Sequence, residues 1–156
     1  LLAVILLSAM FLYDLKWMIL PDKLTRSLLG LAIVQIIALF VIRGANFEVL
    51  RLALLSMVVG GVLFHLIYVF SKAKYIGGGD VKLGYAYGLL LLDPILPWLV
   101  LTVASIIGSI IAVLLLASKR AKMGTKLPFG PMLILGVFLV MLWGPKLWDF
   151  TSSLWY

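Results

Sequence analysis

Asp80 follows three consecutive glycines, Gly77–Gly79, and an apolar run resumes a few residues later. A carboxylate at the mouth of a membrane segment is costly to keep there, so it is by default a functional-site hypothesis. Gly84 and Gly88 recur at four-residue steps from Asp80. In a helix all three share one face, and Gly84-xxx-Gly88 is a small-xxx-small surface that a second helix can approach closely. An acid so placed can do hydrolytic chemistry if a second acid meets it. Two carboxyls held within a few Å do not easily both ionise, so one keeps its proton while the other stays a base. Such a pair can polarise a water and a peptide carbonyl together. That is general acid–base hydrolysis without a metal or a nucleophilic intermediate.

The acids available as a partner are Asp14, Asp22, Glu48, Asp93 and Asp149. To choose among them, the elements that carry them must be laid out. The chain is 65% hydrophobic and 12% charged, well above the roughly 45–50% apolar content of a soluble domain. Apolar runs recur along all 156 residues with short polar breaks, which predicts one all-α, polytopic membrane domain over residues 1–156. The absence of cysteine removes disulfide frameworks, thiolate metal sites and cysteine nucleophiles, and a single histidine, His65, argues against a histidine-built metal centre. No metal and no cofactor is expected. The net charge of +7 sits in short loops between apolar runs, a pattern that sets membrane orientation rather than nucleic-acid binding.

Six spans are predicted: Leu1–Leu20, about Leu24–Ile42, about Val49–Phe70, about Asp80–Leu92, about Ile95–Ala117 and Leu127–Trp143, with Gly144–Tyr156 as an aromatic interfacial tail. Ala104, Gly108 and Ala112 offer a further small-residue packing face. Alternating spans put Lys16, Lys23, Arg26, Lys72, Lys74, Lys82, Lys119, Arg120, Lys122 and Lys126 on one side, and only Arg43, Arg51 and Lys146 on the other. By the positive-inside rule the first side is cytoplasmic. Asp14 and Asp80 then adjoin apolar helices at the same, cytoplasmic, face. Glu48, Asp93 and Asp149 fall on the far side or in its turns. Topology therefore allows Asp14 to meet Asp80.

Each residue also has a plainer reading. Asp14 can be an interfacial acid paired with Lys16 or another cation. Asp22, directly after Pro21, suits a helix N-cap. Lys16, Lys72, Lys74 and Lys82 suit topology anchors, and His65 suits a packed, hydrogen-bonded interior position. Pro128-Phe129-Gly130-Pro131 can line a substrate groove, or can be a helix start with proline punctuation.

Together these residues resemble a family. Gly77-Gly78-Gly79-Asp80-Val81-Lys82 is similar to the GxGD signature of membrane aspartyl proteases. Tyr13-Asp14-Leu15-Lys16, followed by Leu20-Pro21-Asp22-Lys23-Leu24-Thr25, resembles the first-aspartate motif of type IV prepilin peptidases. Lys126-Leu127-Pro128-Phe129-Gly130-Pro131 is similar to the KxPFGP element near that family's last helices. The resemblance implies a six-helix integral membrane endopeptidase with Asp14 and Asp80 as its catalytic dyad. Its partners would be prepilin-like precursors (pilins, pseudopilins or preflagellins), cut after the glycine that ends a short basic leader, at the cytoplasmic face of the inner membrane. Gly77, Gly78 and Gly79 would seat Asp80 and admit a substrate backbone, and Pro128, Phe129 and Gly130 would line the groove. Larger members carry an N-terminal extension with a cysteine-rich zinc-binding loop, associated with N-methylation. These residues carry nothing like it, so the chain is expected to be a short, peptidase-only member or one whose extension has been cut away.

Three other readings compete. A presenilin-like or signal-peptide-peptidase-like protease shares the Tyr-Asp and GxGD pair, but would carry a PAL motif where this chain has Pro-Phe-Gly. A proton-coupled transporter could use the two acids as a relay, but would need polar groups spread through the membrane depth. An inactive homologue or scaffold would keep the same motifs.

Overall fold

The computed structural model describes the backbone of residues 1–44, 47–74, 76–119 and 129–153, and the side chains of these up to residue 144. The described residues form helices joined by short turns, with no strand among them. Six helices follow in order: α1 (Leu2–Trp17), α2 (Asp22–Ile42), α3 (Phe47–Phe70), α4 (Gly78–Leu91), α5 (Leu96–Ala117) and α6 (Phe129–Ser153). Three of them, α2, α3 and α5, are long and apolar enough to cross a membrane, and Phe129–Gly144 of α6 is a shorter apolar helix. Large apolar side chains such as Val34, Ile37, Ile110 and Val113 point outward. That exterior suits lipid rather than water. The chain is an all-α polytopic membrane protein.

The helix ends explain how the acids are presented. α1 stops earlier than expected because Met18 turns into the left-handed region (φ 52°) and donates its N–H to Asp14 O at 2.9 Å. α2 begins at Asp22, after Pro21 in an extended conformation. The fixed φ of proline suits the residue just before a helix. α4 begins at Gly78 and ends at Leu92 (φ 54°). At about 1.5 Å per residue, α1 and α4 fall short of the roughly 30 Å hydrocarbon core. These two short helices bring their acid-bearing ends to one end of the bundle. α6 differs from expectation at its far end. It continues through Gly144-Pro145 to Ser153, where an interfacial tail was expected. A proline there removes a single backbone donor, and such breaks are tolerated in membrane helices.

α4 is the centre of the molecule. Its residues from Asp80 to Leu90 are buried, apart from Lys82 and a half-buried Tyr85. It packs on α2, α3, α5 and α6. A helix covered all round needs neighbours that can come close, and here they reach the backbone itself. A Cβ on Gly84 would lie 2.5 Å from Gly60 O, and one on Gly88 would lie 2.7 Å from Ser56 O. Facing them, α3 opens into a π-helical segment at Val58–Val62, whose Gly60 and Gly61 are both buried. Ser56 Oγ donates to Gly88 O at 2.6 Å, and Tyr87 OH lies 3.4 Å from Gly60 O. Gln35 of α2 donates to Leu90 O at 3.3 Å. The Gly84-xxx-Gly88 face is thus the α3–α4 seam. A second seam joins α5 to α6, where a Cβ on Gly136 would lie 2.8 Å from Val100 O and 3.4 Å from Ala104 Cβ.

This close packing predicts a contrast among glycine substitutions. Gly84→Ala and Gly88→Ala should each destabilise the protein by about 1–3 kcal/mol through overpacking. Gly30→Ala, in the α2 interior with nothing within 4 Å of the added methyl, should be neutral or stabilising by up to about 1 kcal/mol. Thermal unfolding of the purified variants in detergent would check this, and an equal effect at all three positions would count against the seam.

Candidate active site

Asp14 lies in the last turn of α1 and is only 5% exposed. It makes no ion pair among the described residues. Lys16, its expected alternative partner, turns away and places its ammonium 4.6 Å from the centre of the Trp17 ring. That ring in turn lies at a tilt against Tyr13, with ring centroids 4.5 Å apart. Asp80 lies in the first turn of α4 and is 8% exposed. Its Oδ2 accepts from the Gly77 N–H at 3.3 Å, half of a capping box in which glycine has no side chain to reciprocate. Its other oxygen faces the start of α6.

There the two acids come to one place. A Cβ built on Gly130 would collide with Asp14 Oδ2 and would lie 3.2 Å from Asp80 Oδ1. The bare Cα of Gly130 is therefore what leaves room for both carboxyls. They approach it from different helices, and α1 and α4 make little direct contact with each other. Phe129, just before, packs at a tilt against the buried Phe64 of α3, with ring centroids 6.2 Å apart. Pro128 lies outside the described residues. A shallow apolar groove lined by Tyr13, Trp17, Ile19 and Pro21 opens beside the Asp14 helix.

The glycine run has a narrower job than its composition suggests. Gly77 is extended (φ −74°, ψ 148°), and none of the three glycines adopts a positive φ. A Cβ on Gly77 or Gly78 would meet only ordinary contacts, at 3.5 Å or beyond. Gly79 is different: a Cβ there would lie 2.9 Å from Leu20 Cβ. Only Gly79 is required by a close approach, and what approaches is the segment that follows α1.

Two other expectations need correction. Asp22 is not an N-cap: it is the first helical residue of α2 and makes no capping bond, because Pro21 occupies the flanking position. Its carboxylate instead accepts from Lys82 Nζ at 2.6 Å. His65 is hydrogen-bonded, its Nδ1 3.1 Å from Tyr85 OH, but it is exposed rather than interior. Gly61 makes the space that lets the Tyr85 ring reach across to it.

The sequence profile of the type IV leader peptidase family matches residues 1–116. Curated relatives carry the name prepilin leader peptidase/N-methyltransferase. The Legionella pneumophila protein is 31% identical over 164 aligned residues, covering 99% of this chain and 53% of that one. Those of Stutzerimonas stutzeri and Pseudomonas aeruginosa are each 32% identical, covering 90% of this chain and 48% of theirs. The chain thus spans about half the length of the curated relatives it matches. No solved structure matches it. With the profile covering most of the chain and both Asp14 and Asp80 inside the matched region, the chain belongs to the type IV leader peptidase family.

Proposed function

We propose that this chain is a membrane-embedded aspartic endopeptidase that removes the short basic leader of prepilin-like precursors, cutting after a glycine at the cytoplasmic face. The observation that carries the reading is the convergence of Asp14 Oδ2 and Asp80 Oδ1 on the bare Cα of Gly130. Family membership and the names of the relatives support the substrate class.

In this reading a water held between the two carboxyls loses a proton to the ionised one as it attacks the scissile carbonyl carbon. The protonated partner donates to the carbonyl oxygen, and the pair then returns a proton to the departing amine. Burial strengthens this chemistry, since few competing water dipoles surround the developing charges. The wet end of the bundle lies close by, because both acids sit within one turn of a helix end. A substrate backbone can therefore reach the pair without crossing the membrane. The cytoplasmic assignment rests on charge: Lys16, Lys23, Arg26, Lys72, Lys74, Lys82 and Lys119 flank the helix ends on the side of the acids, against Arg43 and Arg51 on the other. A proton relay is not favoured. Among the described residues the other buried polar side chains are Thr25 and Ser56, and the buried acids are these two.

Asp14→Asn and Asp80→Asn keep shape while removing the titratable group. Each should lower cleavage of a prepilin-type substrate in liposomes by about 10²-fold or more, at equal expression and unchanged thermal stability. Retained cutting by either variant would remove that acid from the mechanism. Gly130→Ala should lower kcat by about 10- to 100-fold, because its methyl group must displace the Asp14 carboxyl. A Gly130→Ala protein that folds and cuts at the unmodified rate would contradict the geometry on which the reading stands.

A further inference from the structure

The pair is built by two elements that scarcely touch. α1 packs on α2 and α6, while α4 packs on α2, α3, α5 and α6. The relation between Asp14 and Asp80 is therefore set through intermediaries. Gly130 is one. The elbow between α1 and α2 is another, and it grips α4 at two points.

The first grip is apolar. Leu20 is buried and fills the notch left by Gly79, the residue immediately before Asp80. The second is electrostatic. Asp22 Oδ1 lies 2.6 Å from Nζ of Lys82, two residues beyond Asp80, and both side chains remain about half exposed, at 52% and 54%. Leu20 and Asp22 follow the end of α1, and Gly79 and Lys82 bracket Asp80. An exposed ion pair contributes little to global stability. This one has leverage of another kind, because it ties the α1–α2 elbow to the first turns of α4, two residues from Asp80.

We propose that Asp22 and Lys82 are positioning residues: their ion pair, beside the Leu20–Gly79 contact, clamps the α1–α2 elbow onto the first turns of α4 and holds the two carboxyls in register. Neither side chain is assigned a contact with substrate. The kinetic consequence rests on the endopeptidase reading, whereas the geometric consequence does not.

Two measurements on the full chain in lipid nanodiscs test this. The first is steady-state cleavage of a prepilin-type substrate by Asp22→Asn and Lys82→Met, beside the conservative Asp22→Glu and Lys82→Arg. The clamp predicts that Asn and Met lower kcat by about fivefold with KM within about twofold, since misplacing a catalytic group slows the chemical step. Glu and Arg, which keep the pair, should stay within about twofold of the unmodified kcat. The second uses the absence of native cysteine. Spin labels at Lys16→Cys and Gly77→Cys report the distance between the end of α1 and the start of α4. That distribution should be narrow in the unmodified and Glu or Arg forms, and broader in the Asn and Met forms. Superimposable distributions would overturn the clamp, as would a loss confined to KM or an equal loss in the conservative variants. If the unmodified chain cuts no prepilin-type substrate, the endopeptidase reading fails, and the label distances still decide the clamp.

Discussion

Two carboxyl groups buried in an apolar bundle, with no ion pair on Asp14 among the described residues and a backbone amide on Asp80, are the costliest feature of this molecule. The rest of the fold can be read as what keeps them there. A carboxyl excluded from water relaxes towards it unless its helix is held, and each acid here sits within a turn of a free helix end. The holding is done by backbone contacts that glycine permits. Gly130 admits both carboxyls, Gly79 admits Leu20, and Gly84 and Gly88 seat α4 on α3. Lipid offers no hydrophobic drive for helices to associate, so van der Waals packing and interhelical hydrogen bonds must hold the seam. Ser56 to Gly88 and Gln35 to Leu90 are such bonds.

The π-helical segment of α3 belongs to the same economy of space. A π turn widens the helix and is frequent at functional sites. Here it lies against Gly84, one turn beyond Asp80, where Tyr87 and Tyr85 also turn towards α3. The α3–α4 seam is thus built around an irregular helix on one side and a glycine face on the other, and Asp80 rides on its end.

Much of this was legible in the sequence. Hydropathy and alternating basic loops led to an all-α membrane protein, and depth and side allowed Asp14 and Asp80 to meet, while their choice as a dyad came from the family resemblance. Gly84-xxx-Gly88 was readable because a four-residue repeat of small residues has one physical use in a membrane helix. What escaped was local and three-dimensional. The glycine run was expected as a whole to seat Asp80 and admit a substrate backbone, yet only Gly79 is required by a close approach, and its partner Leu20 is remote in sequence. Gly130 was read as groove or helix start because nothing in its own neighbourhood announces two carboxyls from other helices. Asp22 looked like a cap by type and position. Its ion pair with Lys82 depends on an inter-helix register that periodicity does not encode. The helical continuation past Gly144-Pro145 was missed because both residues ordinarily read as stops.

The central claim is that Asp14 and Asp80 meet at one point. The most direct measurement exploits the lack of native cysteine: Asp14→Cys and Asp80→Cys are combined in one chain, which is treated in membranes with the shortest bis-methanethiosulfonate and read by mass spectrometry. A chain pairing Asp14→Cys with Asp93→Cys, at the opposite end of α4, serves as the control. The account predicts rapid intramolecular joining of positions 14 and 80 and none of 14 and 93. Failure to join 14 and 80, with both thiols reactive when present singly, would contradict it.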